Sequence, residues 1–184
     1  MRKALLLLGL LGAVQAFADS GAGEKKAWLC ATCHKPGMAN ALAPLLDGQP
    51  APYLAKAIMD YKTGRRSDST LTMKANAASL TASDIRDIAD YFASRRPPSG
   101  VYSTDPAKVT AGKSRVAELK CASCHGETFA GSGAIPRLAG QTPGYLVRQI
   151  EAFAEGRRTH PPATTPFDKI GDPQSIAQYF TASE

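Results

Sequence analysis

The sequence predicts an all-α protein made of two tandem domains, each of about three helices joined by long loops. Three observations carry this expectation. The chain repeats itself once over most of its length. Within each copy, apolar residues recur at helical spacing, and no segment alternates as a half-buried strand would. A stretch rich in proline and glycine, Arg95-Arg96-Pro97-Pro98-Ser99-Gly100 running on to Asp105-Pro106, separates the copies. These features place a leader over 1–18, a first domain over 19–96, a linker over 97–105 and a second domain over 106–184.

The leader opens with Arg2 and Lys3, continues through an apolar run from Ala4 to Val14 and ends in Ala16-Phe17-Ala18. Charge, then apolar run, then small residues is the order of a secretory signal peptide, and the run is too short for a comfortable membrane span. Cleavage after Ala18 starts the mature chain at Asp19. With no later segment apolar enough to cross a bilayer, the mature protein is expected to be exported and soluble. The net charge of +6 falls to +4 once Arg2 and Lys3 are removed. Its cations are spread along the chain without the block a nucleic-acid-binding arm would need. Two domains of about 80 residues each bury thin cores and need a metal, a disulfide or a cofactor to hold them.

The first helix of each copy leads into a pentapeptide, and in the first copy it spans about Gly23 to Cys30. Cys30-Ala31-Thr32-Cys33-His34 returns as Cys121-Ala122-Ser123-Cys124-His125, 91 residues later. A middle helix is expected from about Pro52 to Thr63, with Tyr53, Leu54, Ala57, Ile58 and Tyr61 at helical spacing and Gly64 as a C-cap. Here the register becomes 92: Pro44, Leu46, Gly48, Gln49, Tyr53, Leu54, Ile58, Gly64, Arg65 and Arg66 match residues at 136, 138, 140, 141, 145, 146, 150, 156, 157 and 158. The last helix follows the capping sequence Thr81-Ala82-Ser83-Asp84 and buries Ile85, Ile88, Ala89 and Phe92. Ile88, Tyr91 and Phe92 match Ile176, Tyr179 and Phe180 at an offset of 88, so the second copy has lost four residues ahead of its last helix. Tyr91-Phe92 and Tyr179-Phe180 are expected to pack on the first helix, and Trp28 to join that interface. Loops this long in small domains suggest that they wrap something other than protein.

The pentapeptide carries the chemistry. Cys-x-x-Cys-His is the haem-attachment signature. Two cysteines three apart on one turn each add to a vinyl group on one porphyrin edge, and the adjoining histidine turns a ring nitrogen to the iron. Cys30, Cys33, Cys121 and Cys124 are therefore the expected thioether residues of two covalent haem c groups, with His34 and His125 as iron ligands. A zinc site wants four ligands, and each copy offers two cysteines and one adjoining histidine. A thioredoxin-like pair needs a strand–helix context that is absent. Two disulfides would leave both histidines without a role.

On these residues the chain resembles class I c-type cytochromes, and most of all the di-haem cytochrome c4 family. The two attachment motifs, Pro44 to Gly48-Gln49 with its counterpart, Tyr61-Lys62-Thr63-Gly64-Arg65, and Leu80 to Tyr91-Phe92 carry the likeness. It covers almost all of the mature chain. The resemblance implies two class I cytochrome c domains wrapped around covalent haems, a periplasmic role in electron transfer, and a methionine on the distal side of each haem.

The two copies part at that methionine. In the first, Met38 follows His34 too closely to reach the opposite haem face, and Met59 sits among apolar residues of the middle helix. Met73 lies in the loop before the last helix, where the family places its distal ligand. The second copy has no methionine; Thr165 or Pro161 aligns with Met73, depending on register. His160 is the remaining histidine and matches Asp68. Three readings stay open: His160 ligates haem two, haem two keeps an open distal face, or His160 is a solvated loop residue.

The function these features imply is a periplasmic di-haem carrier passing single electrons between respiratory partners rather than an enzyme. The implied partners are membrane complexes such as a terminal oxidase, or other periplasmic redox proteins. Nucleic acid is excluded; peripheral membrane association and oligomeric state are left open. The alternatives are a haem enzyme or redox subunit, and a gas-binding sensor, each using the second haem. Arg65-Arg66 and Arg157-Arg158 are read either as partners of haem propionates, as contacts to another protein, or as solvated turns.

Overall fold

The computed structural model describes residues 20–40, 42–161 and 167–184; the leader and Thr165 lie outside them. Among the described residues the chain forms eight α-helices, one 3-10 turn and no strand beyond an isolated bridge between Ser132 and Ile135. The first half holds α1 (Ser20–His34), α2 (Ala51–Lys62), α3 (Thr72–Ala78) and α4 (Ala82–Ser94). The second holds α5 (Pro106–Glu118), α6 (Ala122–His125), α7 (Pro143–Ala154), the 3-10 turn Phe167–Lys169 and α8 (Pro173–Ala182). In each half the first and last helices pack together, α1 on α4 and α5 on α8, and the middle helix, α2 or α7, packs on the last.

Local chemistry accounts for the helix boundaries. Thr81 and Asp84 form a reciprocal capping box: the Asp84 N–H donates to Thr81 Oγ1 at 3.1 Å and the Thr81 N–H donates to the Asp84 carboxylate at 2.9 Å. Ile85, Ile88, Ala89 and Phe92 of α4 are all buried, the stripe expected of helical spacing. Helices α5, α7 and α8 each carry proline in the first turn, where a missing N–H costs nothing. Asp105 and Asp172 accept from backbone N–H groups at the starts of α5 and α8. Helix α2 stops at its C-cap Thr63, followed by Gly64.

The first and last helices meet at glycine. A Cβ on Gly23 would fall 2.6 Å from the Asp87 carbonyl oxygen, and one on Gly112 would fall 2.0 Å from that of Ser175. Tyr91 and Tyr179 pack against the same two glycines. Ala27 and Val116 continue the buried side of α1 and α5.

Three details differ from the sequence reading. Helix α1 does not end at Cys30 but runs through the whole pentapeptide to His34. In the second half α5 ends at Glu118, Lys120 turns to φ +56, and a new helix, α6, carries the motif. Gly112 follows Gly23 by 89 residues while Cys121 follows Cys30 by 91, so two extra residues break the helix there. Second, Met73 is not in a loop: it lies on α3, a fourth helix in this half. The Asp68 carboxylate starts that helix, accepting from the N–H groups of Thr72 at 3.1 Å and Met73 at 3.0 Å. Third, Trp28 does not join the helix interface. It is 67% exposed, because Ala27 faces α4 and the next residue turns outward.

The halves join through two glutamines that are each other's repeat partners. The Gln49 carboxamide donates to the Arg137 carbonyl at 2.8 Å and accepts from the Arg137 N–H at 3.0 Å. Gln141 does the same to residue 45, donating to the Leu45 carbonyl at 2.9 Å and accepting from its N–H at 2.8 Å. Positions 45 and 137 are themselves repeat partners, so the junction has approximate twofold symmetry. Both glutamines are buried.

Lys26 of α1 ties the first helix to the last, reaching Asp84 at 2.8 Å and Asp87 at 2.5 Å. Hydrogen bonds from Lys26, then Thr81, hold the Asp84 carboxyl well below its ordinary range. A depressed carboxyl contributes stability that is fully present above its unfolded value, about 3.9, and is lost as pH falls from there toward the folded value. The melting temperature of the parent should therefore exceed that of Asp84→Asn most at neutral pH, with the gap closing below about pH 4. A gap that stays constant on acidification would show that this carboxylate is not a source of stability.

Candidate functional site

Each half brings its pentapeptide to the wall of one shared cavity. Cys30 and Cys33 sit one turn apart at the end of α1; Cys121 and Cys124 sit likewise around α6. The four thiols form no disulfide; the first of each pair is half-buried and the second exposed. Burial pushes the Cys30 and Cys121 thiols up from their ordinary value.

The adjoining histidines turn inward, His34 at 6% exposure and His125 at 8%. His34 Nδ1 lies 2.7 Å from the Pro44 carbonyl and His125 Nδ1 lies 2.9 Å from that of Pro136. A carbonyl only accepts, so Nδ1 carries the proton and Nε2 keeps its lone pair for a metal. Burial also lowers both imidazole pKa values, which favours the neutral, ligating form.

The cavity measures about 930 Å³ and is continuous past both histidines, near the upper end for small-molecule sites. Its walls are apolar, with Leu54, Ile88 and Phe92 from the first half and Leu146, Ile176 and Phe180 from the second. Met73 also lines it, half-buried, whereas Met38 is 53% exposed and Met59 is not among the lining residues. In the second half His160 lines it, with its ring centroid 6.2 Å from that of His125. Thus the structure places Met73 in one cavity with His34, and His160 in it within 6.2 Å of His125, ring centre to ring centre.

A cationic junction lies between the two sites, and its crosswise wiring was not visible in the sequence. Arg66 donates to Tyr145 Oη at 2.7 Å and to Gln149 Oε1 at 3.2 Å. Its repeat partner Arg158 donates to the same Gln149 oxygen, and the charges of both arginines act on Tyr53. Each guanidinium also lies 4.7 Å from an aromatic centroid of its own half, Arg66 over Tyr61 and Arg158 over Phe153. Burial alone would raise the Tyr53 phenol, but the charges of Arg66 and Arg158 hold it below its ordinary value. Burial pushes Tyr61 up to about 12. The equal spacing of Tyr53/Tyr145 and Arg66/Arg158 in the repeat was the available signal; that each arginine reaches the other half's tyrosine required the fold.

These features fit a porphyrin iron. Cys121 and Cys124 line the cleft and Cys30 and Cys33 sit in the turn just before His34 at its wall, a buried imidazole in each half offers Nε2, and two arginines with neutral hydrogen-bond partners await carboxylates such as propionates. The Cytochrome c family profile matches residues 109–181. Cytochrome c4 of Pseudomonas aeruginosa is 36% identical over 168 residues, covering 85% of this chain and 81% of that protein. Cytochrome c4 of Azotobacter vinelandii is 34% identical over 174 residues, covering 85% and 82%. The chain belongs to the cytochrome c4 family. As a cytochrome c4 it carries two covalently bound haem c groups and serves in electron transfer. The reduced recombinant cytochrome c4 of Pseudomonas stutzeri superposes with a TM-score of 0.78 at 27% identity, over 91% of this chain and all (100%) of that one. The two tandem class I domains that the resemblance implied are thereby the architecture observed.

Proposed function

We propose that this cytochrome c4 works in the periplasm, shuttling single electrons between respiratory partners such as a membrane oxidase or another exported redox protein. In this reading domains over 19–96 and 106–184, joined by 97–105, each hold one haem. Cys30, Cys33, Cys121 and Cys124 form the thioethers, and His34 and His125 bind iron. Met73 completes the first site, while the second has no methionine. The observation that carries the proposal is the single cavity reaching both inward-turned histidines. When bound, haem supplies an iron that changes oxidation state by one electron.

The polypeptide contributes the rest. Apolar walls exclude water, which keeps solvent rearrangement small when charge moves. The carbonyls of Pro44 and Pro136 fix the imidazole orientations. Arg66 and Arg158 would compensate propionate charge at the junction between sites. Cys33 and Cys124 are exposed, so each attachment edge reaches the surface, where a partner can approach. Trp28 and Leu29, at 67% and 50% exposure, flank the first attachment site, and such a small apolar rim suits a transient redox encounter. Among the described residues no helix is long and apolar enough to cross a membrane.

The test is maturation in a cell that attaches haem to exported proteins. The purified chain should exceed the processed polypeptide by two haem masses, accept two electrons in a reductive titration, and pass them on to an oxidised periplasmic carrier. Cys30→Ala/Cys33→Ala should lose one haem and half the electron capacity. A parent protein with fewer than two covalent haems, or one that is reduced but exchanges no electrons with redox proteins, would refute the proposal.

A further inference from the structure

We infer that His160 is the sixth ligand of the second haem iron, so that the two haems of this chain differ in ligation: imidazole and thioether in the first half, two imidazoles in the second. The inference rests on the di-haem carrier reading and names the ligand which that reading leaves unfilled.

Distance is the first argument. Two metal–imidazole bonds of about 2 Å each, plus about 1.2 Å from each nitrogen to its ring centre, place the centroids of trans imidazoles about 6 Å apart. His125 and His160 stand 6.2 Å apart, with ring planes inclined by 36°. Both rings line the cavity. A pair in direct stacking contact would be closer, and a solvated loop histidine would have no reason to face its proximal counterpart at the spacing of one intervening metal.

Confinement is the second. Phe153 of α7 and Phe167 of the 3-10 turn pack with the His160 ring as a three-ring cluster, their centroids 5.0 and 4.8 Å from it and 5.0 Å from each other. His160 is thereby kept at the cavity wall instead of in solvent. A ligand positioned this way loses little rotational freedom on binding, which favours coordination.

Comparison of the halves is the third. His160 falls at the repeat position of Asp68, whose carboxylate in the first half accepts from the Met73 N–H and starts α3. The second half lacks both the carboxylate that organises the methionine helix and the methionine itself. In their place it has an imidazole aimed into the cleft. Replacing a thioether with an imidazole lowers an iron's reduction potential, so with His160 bound the second haem would be the lower-potential site of the two.

The experiment compares parent, His160→Ala and His160→Met as matured di-haem proteins. Readouts are low-temperature electron paramagnetic resonance of the ferric state, the ferrous optical spectrum with carbon monoxide, and a redox titration. The parent should be entirely low-spin and bind no carbon monoxide. His160→Ala should turn half of the haem high-spin and bind one carbon monoxide per chain, the other half staying unchanged as an internal check of folding. His160→Met should restore the low-spin state and raise the lower of the two potentials. A parent already half high-spin, or a His160→Ala protein with unaltered spin state and no carbon monoxide binding, overturns the inference. Neither result touches the carrier reading, which fails on haem content or electron exchange.

Discussion

Replacing Met73 with alanine should lower the reduction potential of the first haem by on the order of 100 mV or more, a modest part of the roughly 0.8 V that axial ligands command. Thioether sulfur favours ferrous iron, and its loss leaves water or nothing on that face. On the proposed ligation, α3 presents Met73 to the cavity, and its first turn is organised by Asp68. The expected signature is a spin-state change in half of the haem and new carbon monoxide binding, with the second haem's signals retained. Met73→His should recover the low-spin state but keep the potential low. Met38→Ala serves as the comparison: Met38 is 53% exposed, and its removal should leave both potentials where they were. Unchanged potentials in Met73→Ala would remove Met73 from the iron.

The second large effect is expected at the junction. The Gln141 side chain is 4% exposed and bonds both backbone groups of Leu45, itself buried. It also accepts from the Thr142 N–H at 2.9 Å. Truncation strands the Leu45 N–H and C=O away from water, and each buried orphan costs about 1–3 kcal/mol. Gln141→Ala should therefore destabilise the matured protein by about 2–5 kcal/mol, and Gln49→Ala by a similar amount through Arg137. The double variant removes both ties. Its thermal unfolding should split into two transitions, one per half, while both haems remain attached. A double variant that melts in one step within about 2 °C of the parent would show that the halves are held by other contacts.

The fold class was legible because the repeat and the helical periodicity are local patterns, and the capping box at Thr81 and Asp84 acts through neighbours in sequence. The candidate attachment residues stood out for the same reason: two thiols on one turn and an adjacent imidazole form a short-range motif. Less legible was how each motif reaches its cavity. A two-residue insertion converts one continuous helix, α1, into α5, a turn at Lys120 and α6, and sequence spacing alone does not say where an insertion bends the chain. The α3 segment, Thr-Met-Lys-Ala-Asn-Ala-Ala, is too short to show a periodicity. It is held by the Asp68 side chain, whose role emerges from its hydrogen bonds. Trp28 misled because an aromatic on a helix suggests burial, whereas the buried side of α1 follows Gly23 and Ala27.

What the chain's order of residues determined by itself was chemistry carried by near neighbours: which cysteines and histidines are paired, that there are two such sets, and that the second copy contains no methionine. Tertiary structure decided everything that depends on residues far apart in the chain. It brought Gln49 to Arg137 and Gln141 to Leu45, carried Arg66 and Arg158 to the opposite half's tyrosines, and set His160 6.2 Å from His125 in a cluster with two phenylalanines. The physical reason is range. Covalent attachment and helix capping are settled within a turn or two, whereas burial, polar pairing across an interface and the width of a metal-sized gap exist only once the halves have packed.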